Sequence, residues 1–484
     1  MRGARSSAHG CDLSFGLRGA LAASACVVAL LDIHVRHRNY QAIWHGSVLP
    51  AVSGDPPRRR APVGWSPGSF SAPTVFAEDD VPQLVSSREG VVAVVAGATD
   101  PGFEDVRAAF ARAHEGDEGG AQLCVYRHGR AVVDLWTGQD PIAGKAWDAE
   151  SLAVLMSVSK GVAATCVHML VERGHLALSA PVREYWPEFE AAGKSEVTVA
   201  ELLSHQAGLS SFDPDSGIGV TELTDWSACV AALESMRPLW TPGTAYYYHS
   251  ITWGYLAGEL IRRVTGKSVG DFLAAEIAGP LGLSLWIGLP ESEEYRVVPQ
   301  FTRKPGPGSA EVATILAGMG IDIDARLIRA TLATLATREE GVALLNTRAG
   351  HAAEIPAGNG IGNARSLARL FAATIGEVDG IRLLAPETVD RARQPQTEGL
   401  AHPTPLDVMP AANHFAHGYE ITRPAALFGP GCFGQVGNGG RIGFAHPESG
   451  VAVGYTCTNM LEDYAGAIDP RWRPWITALR AALV

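Results

Sequence analysis

Lysine is scarce in this sequence. Only five of its 39 basic residues are Lys, so a lysine inside a motif is informative. Paired cysteines are missing too. Cys11, Cys26, Cys124, Cys166, Cys229, Cys432 and Cys457 form no CxxC and no Cys/His zinc spacing. A disulfide framework and a structural zinc site are therefore not expected, and the thiols read as free, as in a reducing compartment. The N-terminal apolar stretch, residues 20–31, is ended by Asp32 after twelve residues, whereas a bilayer span needs about 20. No small-x-small cleavage site follows it within reach, and around Cys26 the apolar run follows the cysteine instead of preceding it. A cytoplasmic location is favoured over a secreted or membrane-associated one, and membrane contact through this stretch is not favoured. A net charge of −12 argues against nucleic acid as the main partner. The charge is uneven, with eight Arg against three Asp in residues 1–60.

What is present is an ordinary globular composition of 46% hydrophobic and 19% charged residues over 484 positions. The length suggests two or three domains, or one large unit with an insertion, and is ample for a real core. Residues 1–85 hold Pro56-Pro57-Arg58-Arg59-Arg60 and a Pro/Gly/Ser stretch, and read as a poorly structured leader and linker. Residues 86–484 read as the folded domain, with a mainly helical subdomain inserted at roughly 165–345. A helix is expected over 103–114. Hairpins are expected at 122–126 with 131–136, and at 441–445 with 451–456. Strand signals thus cluster at both ends, and helical periodicity fills the middle. Val162, Cys166, Met169 and Leu170 predict an amphipathic helix stopped at Gly174, and Asn363 caps a second over Ala364–Ile375. The economical architecture is α+β: one antiparallel sheet built from both ends, flanked by helices.

Three segments carry candidate chemistry. Ser157-Val158-Ser159-Lys160 is an SxxK at a predicted helix start. Three residues apart on a helix, the two side chains share a face. A lysine acting as a base near pH 7.5 needs its pKa lowered by roughly 3 units from about 10.4, which burial and positive potential can supply. A solvated pair in a first helical turn is the plain alternative. Tyr246-Tyr247-Tyr248-His249-Ser250 follows a Pro242-Gly243 turn and is either aromatic packing or a proton-relaying site. Gly434-Gln435-Val436-Gly437-Asn438-Gly439-Gly440 is either a turn or a close-approach backbone able to complete an oxyanion hole.

Together these segments resemble the serine β-lactamase and penicillin-binding-protein superfamily, specifically its class C-like hydrolases, including the family VIII esterases. Leu202-Leu203-Ser204-His205-Gln206-Ala207-Gly208-Leu209, Asn359-Gly360, Pro280-Leu281-Gly282-Leu283 and Phe444-Ala445-His446-Pro447 extend the resemblance over about 90–484. By position it implies Ser157 as acylating nucleophile, Lys160 as its activating partner and Tyr248 as the motif tyrosine. Ser250 then stands where Asn is commoner. Gln435-Val436-Gly437 stands where the family has KTG or HxG, and the oxyanion donors are the backbone N–H groups of Ser157 and Asn438. His205 is read as fixing a loop.

The neutral Gln435 replaces a cation that helps hold a β-lactam or peptide carboxylate. The expectation is therefore a carboxylesterase acting on short-chain or neutral esters through a Ser157 acyl-enzyme, without metal or organic cofactor. The alternatives are a β-lactamase or D-amino-acid peptidase on the same residues, and a non-catalytic ligand-binding member. Two GxSxG strings, around Ser66 and Ser268, lack the strand–turn–helix context of a nucleophile elbow.

Overall fold

The computed structural model describes residues 94–303, 306–461 and 468–484. The expected leader and linker, with Cys11 and Cys26, lie outside them. Five cysteines are described, and all are buried and unpaired. Among the described residues no helix is long and apolar enough to cross a membrane.

Strands β1 (Val95–Thr99), β2 (Ala121–Arg127) and β3 (Arg130–Thr137) come from one end of the described chain. Strands β7 (Phe433–Gly437), β8 (Arg441–His446) and β9 (Val451–Cys457) come from the other. They form one antiparallel sheet in the order β1-β3-β2-β9-β8-β7. Its seam is β2 on β9, with Ala121 opposite Cys457 and Arg127 opposite Val451. The expected joining of the two ends is therefore what the chain does. The first hairpin turns at His128 and Gly129, whose φ of 47° and 78° match the twist of adjoining strands. A small second sheet, β4 (Ala153–Val154), β6 (Ile361–Gly362) and β5 (Leu285–Trp286) in that order, stands beside the chain's approach to Ser157.

Both faces of the main sheet are covered, so the period-two alternation sorts residues between two cores. Leu123, Val125, Val453 and Tyr455 point into one core with helices α1 (Glu104–Ala113) and α5 (Trp472–Ala482), which contribute Phe110, Trp472 and Trp475. Cys124, Tyr126 and Ala452 point into the other, with α2 (Val158–Glu172) and α4 (Ala364–Ile375). Glycines on the sheet let α4 lie close. A Cβ on Gly454 would sit 2.2 Å from Ala364 O, and one on Gly443 2.6 Å from Phe371 Cε2.

One sequence expectation changes. The apolar spacing predicted α2 with one buried face, yet every residue from Val158 to Leu170 is buried. The helix lies between the β7–β8 end of the sheet and α3 (Thr252–Thr265), so no face is left for solvent. The Ala364–Ile375 helix has the expected bounds, and Asn363 Oδ1 accepts from the Ser366 N–H at 2.9 Å. Asn363→Ala leaves that donor unpaired beside the sheet. The expected loss is about 1 kcal/mol of unfolding free energy, read from denaturant midpoints. An unchanged midpoint would show that the cap does not support α4.

Candidate active site

Ser157 is the residue before the first turn of α2, and its side chain makes no capping bond, which leaves Oγ uncommitted to the helix end. The turn that delivers it is strained. Met156 has φ 51°, a conformation uncommon for a residue with a side chain. Ser159 stabilises that turn: its hydroxyl donates to Met156 O at 2.6 Å and accepts from Gly360 N–H at 2.9 Å. Leu155 N–H donates to Gly360 O at 2.7 Å, so Gly360, the residue before β6, is tied twice to the nucleophile turn.

Lys160 lies one turn on and is fully buried. Its Nζ is 3.2 Å from Ser157 Oγ, 2.7 Å from Ser250 O and 2.9 Å from Ala357 O. Burial holds the amine well below its ordinary value of 10.5. Tyr248 is half-buried, its ring centre 4.8 Å from Nζ and stacked on Phe415 at 5.6 Å. His205 frames Tyr248 from behind. Its carbonyl accepts from Tyr247 N–H at 3.2 Å, and its Nδ1 accepts from His249 N–H at 3.1 Å, gripping the backbone on both sides of the tyrosine. Burial first, then His249 and Lys160, keep His205 neutral, well below its usual range. His249 is pushed down to about 3, chiefly by burial; its Nε2 accepts from Leu209 N–H at 3.0 Å.

The third segment closes the site from the sheet. Gly437 ends β7 against the nucleophile turn: a Cβ there would lie 2.5 Å from Leu155 O and 3.2 Å from Val158 Cγ2. Asn438, next along, is exposed. Neither its N–H nor that of Ser157 has a hydrogen-bond partner among the described residues. Gln435 is 1% exposed and packs beside Gly161 of α2, where a Cβ would meet its Cβ at 3.3 Å. Its Nε2 donates weakly to Val436 O at 3.4 Å, and Oε1 is buried without a partner.

The structure thus brings Ser157, Lys160, Tyr248 and Ser250 together, with Gly437 abutting the turn before Ser157 and Gln435 beside α2. It also shows what residue types alone did not. Ser250 meets Lys160 through its backbone carbonyl, so the missing Asn amide does not deprive the lysine of that partner. Ala357 supplies a second carbonyl. Its signal was the Asn359-Gly360 phrase: Asn359 Oδ1 accepts from Ile355 N–H at 2.8 Å and its Nδ2 donates to Gly350 O at 3.0 Å, fixing the loop that carries Ala357. Of the two GxSxG serines, Ser268 caps a short helix by accepting from Asp271 N–H at 3.1 Å, and Ser66 lies outside the described residues.

The β-lactamase family model matches residues 106–472. The chain belongs to that family. It is 35% identical over 410 residues to Esterase/beta-lactamase LipL of Mycobacterium tuberculosis, covering 80% of this chain and 90% of that protein. Its fold is similar to the crystal structure of a family VIII carboxylesterase, with TM-score 0.67, 32% identity, and coverage of 80% of this chain and 99% of the other. It is similar also to a penicillin-binding-protein homologue from Caulobacter crescentus, with TM-score 0.68, 34% identity and the same two coverages. Members of this family are serine hydrolases acting on small ester or amide substrates.

Gly437→Ala tests the close approach of β7 to the nucleophile turn. The obstructing atom is a backbone carbonyl, which cannot swing aside as a flexible side chain would. The expected cost is about 1–3 kcal/mol of stability, seen as a lowered denaturation midpoint. A variant as stable as the parent would mean that the strand and the turn are not held together as described.

Proposed function

We propose that the chain is a carboxylesterase that works through an acyl-enzyme on Ser157. The observation that carries this reading is the set of neighbours around Lys160 Nζ. A neutral primary amine has two N–H donors and one lone pair. Two of its three neighbours, Ser250 O and Ala357 O, can only accept. They take the two N–H groups, and the lone pair is left facing the third, the Ser157 hydroxyl. Burial favours this neutral form, so the lysine is set up as a base.

In the proposed sequence Ser157 Oγ bonds to the ester carbonyl carbon as its proton passes to Lys160 Nζ. The carbonyl oxygen becomes an oxyanion facing the unpaired N–H groups of Ser157 and Asn438. The carbon–oxygen bond to the leaving alcohol then breaks. The departing oxygen receives a proton through Tyr248, which is replenished from Lys160. Water attacks the acyl-enzyme by the same route, releasing the acid and restoring Ser157. At the position where the family has a cation this chain has the neutral Gln435, buried against α2, so no charge is offered there to the carboxylate of a β-lactam or peptide, and neutral esters are favoured. The relatives' names fit this reading, since one is called an esterase/beta-lactamase and another a family VIII carboxylesterase.

Ser157→Ala should lower kcat/KM for a short-chain nitrophenyl ester by about a thousandfold or more, while Ser268→Ala stays near the parent value. An active Ser157→Ala enzyme would overturn the assignment. The base has its own signature. Lys160 must be unprotonated to work, so kcat/KM should rise with pH to a plateau, with a midpoint well below 10.5. Lys160→Arg places a cation that does not deprotonate at the same spot, and should be inactive across the whole profile. A parent profile without that rise, or an active arginine variant, would remove Lys160 from the role of base.

A further inference from the structure

The hairpin loop that carries Asn438 is gripped from behind by buried side chains outside the family motifs. Three successive carbonyls are engaged. Asn438 O accepts from Arg441 Nη1 at 3.0 Å, Gly439 O from Arg471 Nη2 at 3.0 Å, and Gly440 O from Trp472 Nε1 at 2.8 Å. Gly439 and Gly440 have φ of 73° and 105°, and there is no room for a side chain on either. A Cβ would sit 2.5 Å from Arg441 Nη1 in the first case and 2.3 Å from Arg471 Nη2 in the second. Arg471 is itself fixed by Asp469, through Nε at 3.0 Å and Nη2 at 2.8 Å.

Arg441 differs from Arg471 in one respect. It is fully buried, yet no carboxylate is among its hydrogen-bond partners in the described residues. Besides Asn438 O, its Nε donates to Val154 O at 3.2 Å and its Nη2 to Gln300 Oε1 at 3.1 Å. A buried cation held only by neutral acceptors is a costly arrangement for stability alone. What it joins suggests its use. Val154 belongs to β4, three residues before Ser157, and Asn438 is the other end of the proposed oxyanion hole. One rigid, planar guanidinium therefore spans the two chain segments whose N–H groups must converge on a single oxygen.

We infer that Arg441 is a positioning residue for the oxyanion hole, setting the spacing between the Ser157 and Asn438 N–H groups by holding Val154 O and Asn438 O on one fork. The inference rests on the acyl-enzyme reading of Ser157. It adds a residue that touches neither substrate nor nucleophile. Donors aimed at the developing oxyanion act mainly in the transition state, so misplacing one lowers kcat more than it raises KM.

The test uses the full chain with two readouts: the rate of labelling by a fluorophosphonate, and kcat and KM for a nitrophenyl ester. Arg441→Lys keeps a buried charge but offers a single point donor in place of the fork. Arg441→Met removes both. The expected result is labelling and kcat slowed about tenfold in the lysine variant and about a hundredfold in the methionine variant, with KM within about twofold of the parent. Gln300→Leu frees one arm of the fork without altering the arginine, and gives a smaller loss of the same kind. It decides the matter if the Arg441 variants do not fold. A folded Arg441 variant that labels at the parental rate would overturn the inference while leaving the acyl-enzyme intact. So would a loss confined to KM or to thermal stability. So, with both Arg441 variants unfolded, would a Gln300→Leu protein of parental kcat. A parent protein that is not labelled at Ser157 would instead overturn the acyl-enzyme reading, and this inference with it.

Discussion

The site depends on where one amine is kept. Lys160 sits in the interior, where an ammonium ion is unfavourable, and its nitrogen touches two backbone carbonyls and one hydroxyl. Each carbonyl comes from a different part of the chain: Ser250 precedes α3, and Ala357 lies in the loop leading to β6. A base made in this way needs no neighbouring charge to tune it. Burial lowers its proton affinity, and the two carbonyls orient what remains. The cost is borne by the fold, which must bring α2, the Ser250 segment and the Ala357 loop together with no solvent between them.

That demand accounts for much of the architecture around it. Helix α2 is buried on every side because it carries Ser157 and Lys160 into the centre of the molecule. The sheet approaches it through residues without side chains: Gly437 against the turn before Ser157, and Gly161 of the helix against Gln435. The left-handed Met156 and the engaged Ser159 hydroxyl hold the turn in a shape the isolated chain would not prefer. His205, itself at φ 66°, does the same for Tyr248 from the other side. Two of the five non-glycine residues with positive φ among the described residues, Met156 and His205, flank this site, while both sheet faces are packed with aliphatic and aromatic side chains.

Much of this was legible beforehand, for identifiable reasons. Hairpins declare themselves through alternation and a Gly-containing turn, and the two here were placed to within a residue or two. Asn363 announced its helix because a capping residue acts locally. The SxxK spacing was readable because two side chains three residues apart on a helix share a face. Contacts made by backbone atoms were not legible. Any residue type supplies a carbonyl, so neither Ser250 nor Ala357 is marked by its own side chain as a partner of Lys160; the Asn359-Gly360 phrase pointed to the loop that carries Ala357, and Ser250 drew notice only for standing where Asn is commoner. The full burial of α2 was missed because its periodicity reports one apolar face, whereas small residues such as Ala163, Ala164 and Gly161 let the remaining faces be covered as well. Arg441 was missed for a related reason: in a sequence rich in arginine nothing sets it apart until its three acceptors are seen.

The central claim is that Ser157 carries the acyl group between the two halves of the reaction. The most direct measurement is mass spectrometry of the full chain, quenched in acid during turnover of a slowly hydrolysed ester and then digested. The account predicts a mass increase equal to one acyl group, located on the peptide containing Ser157 and absent once substrate is exhausted. Turnover with no acylated species at any quench time, or an acyl group on a peptide that lacks Ser157, would contradict it.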